Sequence, residues 1–484
     1  MQSLQSTLAA DVWSYFAIIC SIPHPSKHEE KLKAWISAWA VDKNIDCRED
    51  EVGNLILRKP ASTGFENRTP VILQAHLDMV PQKNTHIEHD FLVDPIKPIR
   101  KGEWLHADNT TLGADNGVGL ASCLAVLADN SIQHGPLEVL LTVDEETTMA
   151  GAEGLQKGTL QGKILLNTDS EQEGELYVGC AGAININVSF DYTTAPCKAE
   201  SQAFEISLDG LKGGHSGCDI HLQRANAILV LGELLNNIEG ISWDLATLQG
   251  GSLCNAIARD AKAIIVCSEN DEVALKTYLE NKEKELTTQF KHSESGIALS
   301  LKKVALPDVA LSSISKKNIL DAIVQCLDGI YSMDKNFADV IQSSSNFGVL
   351  NQHHSKQFFE IEVLIRSQVE TEKQILAEII YQNFKKRGVD ARKEQDYPGW
   401  MPNIDSAIYR LMEAQYIALF DKKPETMIIH AGLECGLFIE NYPQLDMISF
   451  GPTINFPHSP DEKVNIASVD KYWQLLLATL KAIK

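Results

Sequence analysis

Three adjacent carboxylates, Asp144, Glu145 and Glu146, end the apolar segment PLEVLLTVDEE. A continuous apolar run of this length is typical of a buried strand, so the three acids fall where that strand leaves its sheet. Like charges at this spacing repel one another and resist dehydration unless cations lie nearby. Because most isolated acidic runs are solvated surfaces, other residues must decide between a solvated strand end and a cation site.

Further side chains of the ligand type follow other strand-like segments. In VILQAHLDMV, His76 and Asp78 lie two residues apart, so on a strand both side chains point to one face. Asp115 stands in the glycine-flanked turn GADNG before a helix, and Asp169 ends the apolar run KILLNTD. Open α/β sheets bind ligands at the carboxyl ends of their strands, where these residues fall together with the acidic triplet. Each residue alone has an ordinary structural explanation.

The segment GPTINFPHSPDEKVNI adds a second histidine, His458. The residues that follow, Ser459 to Glu462, fit a capping box with a proline at the first helical position. This pattern predicts a helix start directly after His458. A rigid backbone at that point would suit a metal ligand.

The elements that must position these residues follow from hydrophobic periodicity. Up to about residue 182, helix-like stretches alternate with short apolar runs, which predicts a mostly parallel sheet flanked by helices. From about 183 to 395, segments of alternating polarity such as AFEISLDG and FFEIEVLIRSQ are separated by helical stretches, which indicates a separate α+β layer. The first pattern returns at about 398. We therefore predict an α/β domain with a mixed, mostly parallel sheet from residues 1–182 and 398–484, interrupted by an inserted α+β domain at 183–397.

The composition argues against several classes of partner and indicates a cellular compartment. The 484 residues carry a formal net charge of -22, from 43 Lys+Arg against 65 Asp+Glu, without a basic stripe, which argues against nucleic acid as a partner. No apolar run approaches the ~20 residues of a membrane-spanning helix, and the first residues read as an amphipathic helix instead of a signal peptide. The 10 cysteines include no Cys-x-x-Cys pair. We expect a reduced, cytoplasmic protein that binds neither membrane nor nucleic acid.

The motifs HLD, GADNG, DEE, NTD, GGHSG and PHSPDE occur in this order across nearly the whole chain. In this order and identity the chain resembles the co-catalytic di-zinc peptidases, which include carboxypeptidases, aminoacylases and carnosinases. GADNGVG is similar to the bacterial aminoacylhistidine dipeptidase branch, whose members cleave Xaa-His dipeptides. The resemblance implies a di-zinc catalytic domain with an inserted lid domain that often mediates homodimerisation.

The resemblance also implies two Zn²⁺ ions per chain, for which Mn²⁺ or Co²⁺ can substitute. It gives each ion one histidine and one carboxylate, with an aspartate shared between the ions: His76 and Asp169, Glu146 and His458, and the bridging Asp115. Carboxylates and neutral imidazoles suit zinc. Three ligand carboxylates and a bridging hydroxide would balance the charge of two divalent ions, which would explain the tolerated acidic triplet.

The neighbouring residues receive separate roles. The resemblance implies that Glu145 is the general base towards the bridging hydroxide and later protonates the departing amine. Asp78 would accept the second N–H of His76 and so fix its tautomer. Asp144 is left as a solvated or structural residue. A cis peptide bond is implied between Asp115 and Asn116.

The remaining implied contacts are with the substrate. His215, in LKGGHSGCDI, would stabilise the tetrahedral oxyanion. Asn255 and Arg366 match substrate-binding positions, and an arginine fork is a natural clamp for a substrate's C-terminal carboxylate. Gly432 would give a backbone N–H to the same carboxylate. The sequence does not tell whether His215 acts within its own chain or on a partner subunit.

We therefore expect metal-dependent hydrolysis of dipeptides, with Xaa-His and carnosine-type dipeptides as substrates. A related aminoacylase, tripeptidase or carboxypeptidase would use the same di-metal site. A phosphoesterase is a further alternative, because paired metals suit displacement at phosphorus, but the strong negative charge opposes it. A non-catalytic metal-binding protein is the last alternative, and the presence of Glu145 opposes it.

Overall fold

The computed structural model describes residues 4–484 as two compact units. The first unit contains the chain up to Cys180 together with 400–428 and 433–484, and the second contains 181–399 and 429–432. The predicted boundaries, 182/183 and 397/398, lie within a few residues of these limits, and the assignment of the two units as domains stays a prediction. Residues 1–3, which open the predicted amphipathic helix, lie outside the described residues.

Within residues 4–484 the helices are α1 (Ala10–Ser21), α2 (Glu30–Asp42), α3 (Ala114–Ala128), α4 (Ala150–Glu153), α5 (Ala227–Asn236), α6 (Glu272–Gln289), α7 (Ser313–Val324), α8 (Glu370–Lys385), α9 (Ala407–Phe420), α10 (Glu434–Asn441) and α11 (Ile466–Ala482). None of these helices is both long and apolar enough to cross a bilayer.

The strands of the same described range are β1 (Asp46–Glu49), β2 (Leu55–Lys59), β3 (Val71–His76), β4 (Pro98–Lys101), β5 (Trp104–Ala107), β6 (Leu137–Thr142), β7 (Ile164–Asn167), β8 (Glu175–Cys180), β9 (Gly182–Asp191), β10 (Thr194–Pro196), β11 (Gln202–Asp209), β12 (Gly214–His215), β13 (Trp243–Gly250), β14 (Ala256–Ile257), β15 (Ala261–Cys267), β16 (Ala298–Val304), β17 (Val309–Leu311), β18 (Gly329–Met333), β19 (Ile341–His353), β20 (Phe358–Ser367), β21 (Asp390–Tyr397), β22 (Glu425–Ile429), β23 (Asp446–Ser449), β24 (Ile454–Asn455) and β25 (Lys463–Asn465).

The first unit is built on a mixed sheet in the order β1-β2-β6-β3-β7-β23-β8-β22. Its centre is parallel, because β3 pairs in parallel with β6 and β7, and β7 with β23. Every residue of β3 and β6 is buried, as expected for strands covered on both faces by helices. This architecture confirms the predicted α/β fold class.

The second unit has an antiparallel sheet in the order β16-β11-β15-β13-β19-β20-β9-β21. Helices α5 and α8 pack against its strands, and one apolar core runs through these helices and the sheet. The predicted inserted α+β layer is therefore confirmed as a fold.

Three strand ends of the first unit place the candidate ligands. Parallel strands β3, β6 and β7 end at His76, Thr142 and Asn167, so the residues that follow them emerge at one edge of the sheet. Asp115 enters at the start of α3, and His458 lies in the loop between β24 and β25.

The helix predicted directly after His458 is wrong. The chain makes a turn there, in which Ser459 Oγ accepts the N–H of Asp461 at 3.0 Å, and continues as β25. Strand β25 pairs with β5 through Val464 and Leu105, so a tertiary strand pairing overrides the local capping signal. The carboxylate of Glu462 consequently serves another part of the chain.

Candidate metal centre

The first half of the site forms around His76, which is 1% exposed at the end of β3. Its Nε2 lies 3.2 Å from Asp115 Oδ1 and 3.3 Å from Asp169 Oδ1. One ligand atom from each of these three residues lies within 4.8 Å of the others. The structure thus brings together the histidine, the carboxylate and the bridging aspartate that sequence analysis assigned to one ion.

The second half of the site uses the other oxygen of the same aspartate. His458 Nε2 lies 3.3 Å from Asp115 Oδ2 and 2.9 Å from Glu146 Oε2. Asp115 therefore directs one carboxylate oxygen to each histidine, which is the arrangement required of a bridging ligand. His458 has a φ of 59°, in the left-handed region that side chains rarely adopt, so its loop is held by surrounding contacts.

The donor set fits divalent cations. It combines two imidazole nitrogens with three carboxylates, a set that suits zinc and also manganese or cobalt. Glu146 Oε1 is buried and has no hydrogen-bond partner among residues 4–484. A buried carboxylate oxygen without a partner is costly, and a bound cation would satisfy it.

The pKa values show how strongly the site needs positive charge. Burial raises the pKa of Glu146 to about 7 and that of Asp169 to about 6, with repulsion from Asp115 adding to both. Hydrogen bonds to Asp115 and Glu146 raise the pKa of His458 to about 11. Burial alone would lower the pKa of His76, but Asp169 and its other carboxylate neighbours raise it well above 6.5. Bound metal cations would supply this positive charge, and their binding would release any protons that the ligands hold.

Asp78 anchors the backbone of the acidic triplet. Its carboxylate accepts the N–H of Glu145 at 3.0 Å and that of Glu146 at 3.2 Å, and also the hydroxyl of Ser26 at 2.8 Å. The Nδ1 of His76 lies 3.0 Å from the main-chain oxygen of Asp78 but 3.5 Å from its carboxylate. The main-chain oxygen is therefore the closer acceptor for the second N–H of His76.

The other two acids of the triplet differ in environment. Glu145 shares a cluster with His76 and Glu146, and burial, with repulsion from nearby carboxylates, raises its pKa well above 4.5. Asp144 is only 9% exposed and accepts hydrogen bonds from the hydroxyls of Thr147 and Thr148. Of the two interpretations given for Asp144, solvated or structural, its burial and these hydrogen bonds favour the structural one.

Sequence analysis gave no role to Asn116. The peptide bond from Asp115 to Asn116 is cis, which confirms what the resemblance implies. The Asn116 amide donates to Asp169 Oδ1 at 2.6 Å and so holds a candidate ligand from the side. An asparagine in a glycine-flanked turn reads as an ordinary turn residue, which is why its contact could not be foreseen.

A buried polar layer, also unassigned by sequence analysis, lies directly beneath the ligands. Gln74 and Asn167 face each other across β3 and β7, each two residues before a candidate ligand, and the Asn167 amide donates to Gln74. Gln74 donates in turn to Glu434 Oε2 at 2.5 Å. Asn167 Oδ1 accepts the backbone N–H of Asp169 at 3.1 Å. Because a backbone N–H only donates, this bond fixes the orientation of the whole chain of amides.

In the second unit, Arg366 is a buried cation without an acidic partner. It is 6% exposed, its Nε lies 3.4 Å from Ser216 Oγ, and no carboxylate of residues 4–484 forms an ion pair with it. His430, which sequence analysis did not single out, is 8% exposed and lies 2.7 Å from Ser344 Oγ through Nε2. Burial, with Arg366 nearby, lowers the pKa of His430 to about 3.

His215 has a defined tautomer. Its Nδ1 accepts the backbone N–H groups of Gly217 at 3.2 Å and Cys218 at 2.9 Å, so the proton of the neutral ring is on Nε2. Burial and the charge of Arg366 lower the pKa of His215 to about 4, so the ring is a neutral donor at neutral pH.

Two other predicted substrate residues lie in the same unit. Asn255 is exposed, and its main-chain oxygen accepts the N–H of Ser216 at 2.8 Å. A Cβ on Gly432 would come within 2.8 Å of Tyr397 Oη. The close approach of this tyrosine is a packing reason for glycine at position 432, separate from any substrate role.

Comparison with known proteins identifies relatives over the full chain. The model of peptidase family M20/M25/M40 matches residues 72–482. The cytosol non-specific dipeptidase of Escherichia coli is 44% identical over 484 residues, which is 100% of this chain and 99% of that protein.

Solved structures give the same result. The aminoacylhistidine dipeptidase from Vibrio alginolyticus has a TM-score of 0.89 at 44% identity and covers 99% of this chain and 98% of its own. Aminopeptidase PepT from Bacillus cereus, with a TM-score of 0.56 at 15% identity and 98% of both chains covered, shares the fold.

Proposed function

We propose, because the chain belongs to peptidase family M20/M25/M40, that it is a metal-dependent dipeptidase that cleaves Xaa-His dipeptides, including carnosine-type substrates. The observation that carries this proposal is the placement of Asp115 between His76 and His458, with one carboxylate oxygen directed to each ring. The full-length similarity to two proteins named as dipeptidases supports the choice of substrate class.

Five residues would hold two divalent ions, for which we propose Zn²⁺: His76, Asp115, Glu146, Asp169 and His458. When bound, such a pair lowers the pKa of a water molecule and polarises the scissile carbonyl. The described donors fit this role, as the unpartnered oxygen of Glu146 indicates.

Glu145 is the proposed general base. It lies in one cluster with His76 and Glu146, and its backbone is fixed by Asp78, so its carboxylate is held beside the candidate ligands. It would take a proton from the attacking water as the carbon–oxygen bond forms. It would then deliver that proton to the departing amine nitrogen as the carbon–nitrogen bond breaks.

The second unit would supply the groups that recognise the substrate. We propose that His215 donates its Nε2–H to the oxygen of the scissile carbonyl as negative charge develops there. Arg366 would pair with the C-terminal carboxylate, because a buried guanidinium without an acidic partner needs an anion. Asn255 and the N–H of Gly432 are proposed as further contacts to the substrate.

Location and assembly also belong to the proposal. A cytoplasmic location is proposed because it agrees with the name of the Escherichia coli relative. Homodimer formation rests on the family resemblance alone, and sedimentation of the purified protein would test it.

The proposal is tested by removing and restoring the metal. The purified protein is stripped with a chelator and divided into samples given no metal, zinc, manganese or cobalt. Each sample is assayed with carnosine, alanyl-histidine, a tripeptide, an N-acetyl amino acid and a phosphate ester. We expect metal-dependent cleavage of the two dipeptides and little turnover of the others.

The substrate panel separates the alternatives. Preference for the N-acetyl amino acid or the tripeptide would reassign the chain to an aminoacylase or a tripeptidase with the same metal site. Cleavage of the phosphate ester alone would indicate a phosphoesterase, and a fully metallated protein inert towards every substrate would contradict an enzymatic role.

A further inference from the structure

Glu462 holds the segment that carries the candidate bridging ligand. It is 2% exposed, and its carboxylate accepts four consecutive backbone N–H groups. Oε2 accepts those of Leu112 at 2.7 Å and Gly113 at 3.0 Å. Oε1 accepts those of Ala114 at 2.7 Å and Asp115 at 3.4 Å.

The backbone of this segment is shaped to surround an anion. Gly113 has a φ of 68°, and this left-handed residue turns successive N–H groups towards one point, as in the concave anion sites formed by backbone amides. The anion is the chain's own Glu462, which forms no ion pair with any cation among residues 4–484. Burial raises the pKa of Glu462 to about 7, and the hydrogen bonds from these N–H groups oppose that shift because they favour the charged carboxylate.

This contact joins two segments that carry candidate ligands. Asp115 directs its N–H to Glu462 while its side chain reaches towards His76 and His458. His458 stands four residues before Glu462, in a loop with a left-handed backbone. Both ligand segments are thus fastened to one carboxylate, which touches neither histidine in any described hydrogen bond.

We infer that Glu462 is a positioning residue for the second ion: its carboxylate, by binding the N–H groups of residues 112–115, holds Asp115 in register with His458. The inference rests on the two-ion site proposed above. It goes further because Glu462, which is not a proposed ligand, would raise the affinity of the site for metal. Outer-shell partners of metal ligands typically change metal affinity by about 10- to 100-fold when replaced.

The test compares Glu462→Gln with Asp461→Asn. Glutamine keeps the size of the side chain but turns one oxygen into an amide that faces backbone donors, so some of the four hydrogen bonds are lost. Asp461 is the exposed neighbouring acid, and its variant changes the net charge equally. Both variants and the wild type are stripped of metal, their apo thermal midpoints are recorded, and zinc is titrated in competition with a chromophoric chelator.

We expect Glu462→Gln to bind at least one of the two zinc ions about 10- to 100-fold less tightly, with Asp461→Asn unchanged. Dipeptide turnover by Glu462→Gln should recover at saturating zinc. A purely structural role would lower the apo thermal midpoint while leaving the zinc affinity native. Native affinity for both ions in folded Glu462→Gln, or an equal loss in Asp461→Asn, would overturn the inference.

Two further outcomes are decisive. If Glu462→Gln does not fold, Glu462→Asp replaces it. Because aspartate is one methylene shorter, weakened zinc binding by a folded aspartate variant supports the inference, and native binding contradicts it. A wild-type protein that takes up fewer than two ions overturns the two-ion proposal itself, whereas two ions in the wild type and in Glu462→Gln with equal affinity overturn only the role of Glu462.

Discussion

The two units contain buried clusters of opposite electrical character. In the first unit, carboxylates outnumber the available cations, and they raise the pKa of His458 to about 11. In the second unit, Arg366 has no acidic partner among residues 4–484, and burial together with this cation lowers the pKa of His215 to about 4. The pKa of an imidazole is thus raised in the first cluster and lowered in the second. Since an unpaired buried charge is costly, the first cluster should bind cations and the second an anion.

The largest effect is expected inside the acidic cluster. Glu145→Gln removes the proposed base but no ligand, so kcat for a dipeptide should fall by about 10²- to 10⁴-fold while both zinc ions remain bound. Glu146→Gln is the matched variant, because the neighbouring acid is a proposed ligand, and it should lose zinc. Activity and zinc content are measured on the same samples. Full-speed turnover by Glu145→Gln with both ions bound would refute its assignment as base.

The next effect probes the cationic cluster of the second unit, which consists of Arg366 and the nearby His215 and His430. Arg366→Lys keeps the charge but loses the planar fork, so KM for alanyl-histidine should rise by about 10- to 100-fold, the equivalent of one or two charged hydrogen bonds. The exposed Arg259→Lys is the control. Alanyl-histamine, which lacks the carboxylate, provides the sharper readout.

The wild type should prefer alanyl-histidine to alanyl-histamine, and Arg366→Lys should lose most of that preference. An unchanged preference would show that Arg366 does not read the substrate carboxylate, and the contrast between the two clusters would then have no bearing on substrate binding.

The smallest effect concerns pH. Burial, with Arg366 and His215, lowers the pKa of His430 from 6.5 to about 3. Below about pH 6.5 the unfolded chain binds a proton at His430, whereas the folded protein keeps this ring neutral. The free energy of unfolding therefore falls as the pH falls from about 6.5 towards 3, and this loss is absent above pH 6.5.

His430→Asn should therefore show a shallower loss of stability than the wild type between about pH 7 and pH 5. Urea unfolding of both proteins, followed by tryptophan fluorescence at each pH, measures this difference. Parallel curves for the two proteins would mean that His430 is not held neutral by its surroundings.

Much of the acidic cluster could be predicted because its candidate ligands follow apolar strands. His76 and Asp169 end continuous apolar runs, and a parallel sheet brings such ends to one edge. Glu462 could not be predicted in the same way. Its local pattern indicates a helix cap, whereas its hydrogen-bond partners lie about 350 residues earlier in the chain. Long-range partners of this kind leave no local signal.

The second unit was harder to foresee for another reason. Strand β19 contains Ser343, Ser344 and Ser345, which are at most 2% exposed, although a run of serines is typical of a loop. Ser344 is also the hydrogen-bond partner of His430. Because this serine-rich strand could not be predicted, its contact with His430 could not be predicted either. Arg366 was recognisable through the family resemblance, but its lack of an acidic partner is visible only in the structure.

The most direct test of a cation-binding cluster in the first unit is crystallography of the zinc-loaded protein, with diffraction measured on both sides of the zinc absorption edge. Two anomalous peaks are predicted, one beside His76 and Asp169 and the other beside Glu146 and His458, with the Asp115 carboxylate between them. A single peak, or peaks away from these five side chains, would contradict the account.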